Sequence, residues 1–123
     1  EYGWVMKIKI IETSWSGRPG YVPKEILHEY EAILNKEYVV KTRDVEYIKE
    51  NKIIKSTEIV LSFVITSINE DGVTIHTNDS FSLDGAGMFL KGEQKDFKVL
   101  KGDSLKLTTL SLDYGYIFIF SLE

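Results

Sequence analysis

The only two side chains of this chain that titrate near neutrality in their unperturbed state are His28 and His76. His28 has Glu25 three positions before it and Glu31 three positions after it. On a helix these three would share a face, where they could act as metal ligands or as a base with its orienting carboxylate. No second histidine stands at i+4, so there is no zincin-type pair, and the plain alternative is a solvated helix face. His76 sits beside Thr74 and Asn78, on the strand face opposite Val73 and Ile75. A carboxylate next to it would make a proton carrier; otherwise it is an exposed strand histidine. Brought together with a carboxylate, His28 and His76 would form a two-His-one-carboxylate metal site.

Oxygen donors cluster further along, at Asn69, Glu70, Asp71, Asn78, Asp79 and Asp84. Such hard ligands suit calcium, although the regular register of an EF-hand is absent, and a turn carrying solubilising charge is the simpler account. Asn78-Asp79-Ser80 also matches a glycosylation sequon. There is no cysteine, which removes disulfides, thiolate zinc, iron–sulfur clusters and thiol nucleophiles. No serine-nucleophile, phosphate-loop or dinucleotide motif occurs either. Apart from calcium, no cofactor is expected.

The strongest binding candidate is the stretch Trp15 to Tyr21, in which Trp15, Arg18 and Tyr21 stand among Gly, Pro and Ser. Tryptophan, tyrosine and arginine bury large areas while keeping a polar or cationic handle, so they dominate binding hot spots. The alternative is that the aromatics cap the core and Arg18 pairs locally. Tyr114-Gly115-Tyr116 is a second candidate, with a hairpin turn flanked by core tyrosines as its alternative.

These residues need a scaffold. A chain of 123 residues with 43% hydrophobic content suits one domain with one core. Ile (14), Val (9) and Thr (8) far outnumber the two alanines, Ala32 and Ala86, a balance that favours sheet. Strand patterns run from Trp4 to Ile11, Glu37 to Arg43, Thr57 to Ile68, Val73 to Thr77, Phe97 to Leu100, Leu105 to Leu110 and Tyr116 to Leu122. Residues 44–55 are ambiguous, with Asn51-Lys52 resembling a turn. Asn69-Glu70-Asp71-Gly72 predicts a tight hairpin turn. Between Pro23 and Asn35 the spacing of Ile26, Leu27, Tyr30, Ile33 and Leu34 predicts one amphipathic helix. Gly85, Gly87 and Gly92 mark a bulged or flexible segment around Met88 to Leu90. The expected fold is therefore mostly β (α+β): a small antiparallel barrel or sandwich of six to eight strands, with one helix after the first strand.

Lys+Arg 15 against Asp+Glu 19 gives a net charge of −4, the wrong sign for gripping nucleic acid. The acidic excess lies entirely after residue 60, and no basic residue occurs between Lys55 and Lys91. No apolar run approaches the roughly 18 residues of a spanning helix. Glu1 stands where an initiator Met would, which leans towards a processed, exported protein. Both faces of Thr57 to Ile68 and of Tyr116 to Leu122 are apolar, which suits either a covering helix or a homodimer surface.

The function expected is a non-catalytic domain binding a protein or glycan through Trp15, Arg18 and Tyr21, with Tyr114 and Tyr116 as a second contact. The alternatives are an acidic neutralising protein, such as a toxin immunity protein or enzyme inhibitor, using Glu70, Asp71, Asp79 and Asp84, or a small hydrolase or metal enzyme built on a histidine and a carboxylate.

Overall fold

The computed structural model describes residues 6–83, 94–110 and 114–123. Trp4, Asp84 and the glycine-rich segment from Gly85 to Gly92 lie outside them. Nine strands are described: β1 (Lys7–Ser16), β2 (Ile26–Glu31), β3 (Glu37–Lys49), β4 (Lys52–Asn69), β5 (Gly72–Thr77), β6 (Phe81–Leu83), β7 (Asp96–Leu100), β8 (Ser104–Thr109) and β9 (Tyr114–Leu122). They form two antiparallel sheets, one ordered β2-β1-β9-β8-β6 and the other β3-β4-β5-β7, and neither closes into a barrel. Of the two architectures that the composition allowed, the sandwich is the one formed, with more strands than expected.

The alternation in the sequence builds the core directly. Ile8, Ile10, Phe118 and Phe120 from one sheet meet Leu61, Phe63, Ile65, Ile75 and Val99 from the other, and all are essentially sealed from water. Phe63 packs edge-on against Phe120 and stacks on Tyr38, as the ring quadrupole favours. The hairpin at Asn69 to Gly72 forms as its composition predicts. Asn69 Oδ1 accepts the backbone N–H groups of Asp71 (2.8 Å) and Gly72 (3.1 Å), so the side chain fixes the turn. Gly72 is needed for space: a Cβ there would lie 2.1 Å from the Val99 carbonyl oxygen.

No helix occurs among the described residues, and the segment predicted to be one is largely β2. Strand β1 would otherwise offer an unpaired row of N–H and C=O groups, and β2 satisfies it with the register Ile8↔Tyr30 and Ile10↔His28. The same segment also carries a period-two set, His28, Tyr30 and Ala32, of which only Tyr30 belongs to the helical spacing, and this set is half-buried on the core side. Ile26, Leu27, Ile33 and Leu34, which a helix would have buried, are exposed. Tertiary hydrogen bonding has overridden a local pattern.

The ambiguous residues 44–55 complete one long hairpin. Beyond the rung Arg43↔Glu58, β3 and β4 continue as a two-stranded arm through six further rungs to Lys49↔Lys52. At about 3.4 Å per residue the arm is roughly 20 Å long. Its turn is Glu50-Asn51, both at positive φ (52° and 62°), the two-residue geometry that matches strand twist. The arm becomes two-stranded where β5 ends: Asn78 N–H donates to the Ser62 carbonyl (2.9 Å), while Asn78 Oδ1 accepts Ser62 N–H (2.8 Å). Asn78 thus closes the sheet with its own side chain. Its Nδ2 donates to the Ile59 carbonyl (3.4 Å), so the sequon asparagine has a structural task.

Candidate functional site

Along the inner face of the β1–β9 sheet the side chains change character. On β1 they run Ile8, Ile10, Glu12, Ser14, Ser16, and opposite them on β9 run Leu122, Phe120, Phe118, Tyr116, Tyr114. One end of the sandwich is therefore filled with hydrocarbon and the other is polar.

A β-bulge brings charge to the polar end from the facing sheet. Val40 is an extra residue on β3, between the pairs Val39↔Ser62 and Lys41↔Leu61, and Val60 is a compensating extra residue on β4. The first bulge turns Lys41 and Arg43 towards the β1–β9 sheet, a common use of bulges. Lys41 Nζ reaches Glu12 Oε2 (3.1 Å) and lies over the Tyr116 ring (5.4 Å). Glu12 is 5% exposed, and its other oxygen meets His28 Nε2 at 2.9 Å. A buried carboxylate is thus held between two basic side chains, as desolvation demands. Burial raises the Tyr30 hydroxyl above the usual tyrosine pKa, and the negative charge of Glu12 adds to the effect.

Further out, Arg43 Nη2 and Nε both donate to Glu58 Oε2 (3.1 and 3.3 Å), and Nη1 donates to Tyr114 Oη (3.4 Å). The hydrogen bonding of the guanidinium to the Glu58 carboxylate is the main reason its pKa lies above the ordinary value. These groups wall a cleft of about 470 Å³, whose far side carries Asp79, Ser80, Phe81 and Thr109. On the other side of Tyr114, Gly115 and Tyr116 is a second hollow of about 280 Å³, lined by Trp15, Arg18 and Tyr21.

Trp15, Arg18, Tyr21, Tyr114 and Tyr116, drawn from the two sequence candidates, are thus gathered around one hollow. Trp15 belongs to strand β1, paired with Gly115, rather than to a loop; only the residues after Ser16 leave the sheet. Ser14 Oγ and Tyr21 Oη are hydrogen-bonded, tying the loop back to the strand. Among the described residues the Arg18 guanidinium has no ion-pair or hydrogen-bond partner, and only the backbone N–H of Arg18 is engaged, by Ser16 Oγ (3.1 Å). Trp15 Nε1 is buried and has no acceptor among the described residues, and a desolvated donor left unsatisfied costs about 1–3 kcal/mol.

The remaining candidates disperse. Glu70 and Asp71 occupy the β4–β5 turn, while Asp79 lies past the other end of β5 on the cleft wall. His28 engages Glu12 rather than Glu25 or Glu31, because a strand does not bring i±3 neighbours together. His76 is exposed and paired with Asp96 (2.9 Å) on β7. The two histidines belong to different sheets, each with its own carboxylate, and no group of three or more metal-type ligands gathers among the described residues. Compared with known protein families, curated proteins and solved structures, the chain matches none.

Four polar residues of this region, Glu12, Lys41, Arg43 and Glu58, escape sequence reasoning. Glu12 did leave a signal: it occupies the next inward position after Met6, Ile8 and Ile10, where a hydrocarbon is expected. Lys41 and Arg43 left none, since simple alternation from Tyr38 and Val40 points them outward, and the bulge has no sequence signature.

Proposed function

We propose that this chain is a non-catalytic binding domain that holds an extended ligand, a glycan strand or polypeptide segment, in the two adjoining hollows flanking Tyr114 to Tyr116. The observation that carries the reading is the convergence of Trp15, Arg18, Tyr21, Tyr114 and Tyr116 on one hollow, with the Arg18 guanidinium unpartnered among the described residues. Aromatic faces supply contact area, and the guanidinium, hydroxyls and the Arg43–Glu58 pair supply orientation, the usual division of labour in a concave site. The neutralising-protein alternative has less support, because Glu70 and Asp71 stand a strand's length from Asp79.

Screening wild-type protein against glycan and peptide arrays, then titrating the best probe calorimetrically into Trp15→Ala, Arg18→Ala and Tyr114→Ala variants, tests the reading. Each truncation is expected to cost more than about 1 kcal/mol of binding, with the melting temperature of Arg18→Ala unchanged. Equal binding by all variants would overturn it.

A further inference from the structure

The chain contains two arginines, Arg18 and Arg43, and both line the paired hollows, whereas none of its thirteen lysines does so among the described residues. Arginine differs from lysine in presenting a planar fork of donors that matches a planar carboxylate. The two forks stand in opposite states. Arg43 is committed: its nitrogens already face Glu58 and Tyr114, and Asp79 adds a second carboxylate to the same cleft. The Arg18 guanidinium has no partner among the described residues, and no acid among them lines its hollow. Charge along the groove therefore runs from net negative beside Arg43 to net positive beside Arg18.

The loop sets the backbone of Arg18 in place before any ligand arrives. Ser16 Oγ accepts the Arg18 backbone N–H (3.1 Å), Pro19 and Gly20 (φ 80°) make the tight turn that follows, and Tyr21 Oη is bonded to Ser14 Oγ. Proline fixes its own φ and glycine supplies the positive one, the residue order of a type II turn. A site whose backbone is already ordered loses less entropy on binding.

The ridge between the hollows selects what lies across them. Tyr114, Gly115 and Tyr116 pair with Ser16, Trp15 and Ser14. On the other side Thr109 Oγ1 accepts the Tyr116 N–H (3.0 Å) and donates to the Tyr116 carbonyl (3.5 Å). At Tyr116 both backbone groups are thus engaged, and the ridge offers there no free strand edge of the kind that holds an extended peptide. It offers aromatic faces flanked by the hydroxyls of Ser80 and Thr109 and the carboxylates of Glu58 and Asp79. Those suit the apolar faces of sugar rings and the hydroxyls around them.

We propose that the ligand is an acidic saccharide, with a sugar carboxylate on Arg18 and the adjoining uncharged ring in the cleft between the Arg43–Glu58 pair and Asp79. This rests on the binding function proposed above and commits it to one ligand class. Charge sets the orientation, because a carboxylate in the Arg43 cleft would meet Glu58 and Asp79.

The test applies the wild-type chain to an array of uronate- and sialate-containing oligosaccharides, each printed as free acid and as methyl ester, beside neutral oligosaccharides and peptides. The tightest acid probe and its ester are then titrated calorimetrically into wild type and into variants whose folding is checked by circular dichroism. The free acid is expected to bind at least about tenfold more tightly than its ester, and the gap should narrow as salt rises. Arg18→Gln should abolish the gap by weakening the acid alone, and Arg18→Lys, which keeps the charge but not the fork, should retain only part of it. Asp79→Asn, beside the uncharged ring, should shift acid and ester by the same factor. An Arg18→Gln variant that still prefers the acid overturns the proposal. So does a selective gain for the acid in Asp79→Asn, which would put the carboxylate in the other cleft. Esters or neutral oligosaccharides that bind as tightly as the acids, or binding by peptides alone, overturn it while leaving the general binding function standing. An array on which nothing binds overturns both.

Discussion

The two ends of the sandwich are made from the same strands and behave as opposite kinds of surface. Strand β9 fills the interior with Phe118 and Phe120, then a few residues away lends Tyr114 and Tyr116 to an open cleft; β1 passes from Ile8 and Ile10 to Ser14 and Ser16 in the same way. The closed end gains from every methylene it hides, while the open end keeps polar groups that burial would penalise. Glu12 marks the boundary, and the bulge at Val40 supplies the lysine that lets a carboxylate be buried there.

The contrast is broken most strongly from the closed end. Phe118→Ala removes a ring with no exposure, wedged against Phe81 and Tyr116, and is expected to cost about 3–5 kcal/mol by denaturant unfolding. A loss below about 1 kcal/mol would mean that the closed end is no better packed than the cleft.

At the boundary, Lys41→Met keeps the length of the stem but leaves Glu12 with His28 alone. The expected loss is about 2–3 kcal/mol, below that of a fully sealed pair because Lys41 and His28 are partly open to water. The double variant Lys41→Met/Glu12→Leu should recover much of it, since both partners of the buried pair are then removed. No recovery would show that Lys41 contributes through its stacking on Tyr116 instead.

At the open end the expectation reverses. Arg18→Ala should change stability by no more than about 0.5 kcal/mol, because the guanidinium has no partner among the described residues. A larger loss would move Arg18 from the binding surface into the scaffold.

The smallest effect is a pH slope. Tyr30 is an acid whose folded pKa is raised, so above its ordinary value of 10.0 the unfolded chain loses the proton first. Its contribution is whole below about pH 10 and is lost as pH rises through the folded value. Tyr30→Phe should flatten stability against pH in that alkaline window alone and leave the slope near neutrality unchanged.

How far the fold could be read varies with the range of the interactions involved. Leu61, Phe63 and Ile65 alternate cleanly, and Asn69 to Gly72 carries its own turn chemistry, so both were legible. The apolar residues from Ile26 to Leu34 are spaced for a helix, but the unpaired edge of β1 draws the segment into a strand that half-buries His28, Tyr30 and Ala32 instead. Within the site, Trp15, Arg18, Tyr21, Tyr114 and Tyr116 were legible by residue type. Arg43 and Glu58 were not, since only a bulge and a long-range strand pairing bring them to the cleft.

By itself the sequence determined a β-rich chain without thiol chemistry, the faces that would be buried along its regular strands, and the turns that join them. Those properties follow from side-chain branching, period-two alternation and turn residues, all of which act within a few positions. Tertiary structure decided that β2 is a strand, that Lys41 turns inward to hold Glu12, and that two distant aromatic groups share one hollow. It also decided that β3 and β4 run on past the sheet as a two-stranded arm. Each of these depends on which strand edge meets which, and at what register, an outcome set by backbone pairing between segments far apart in the chain.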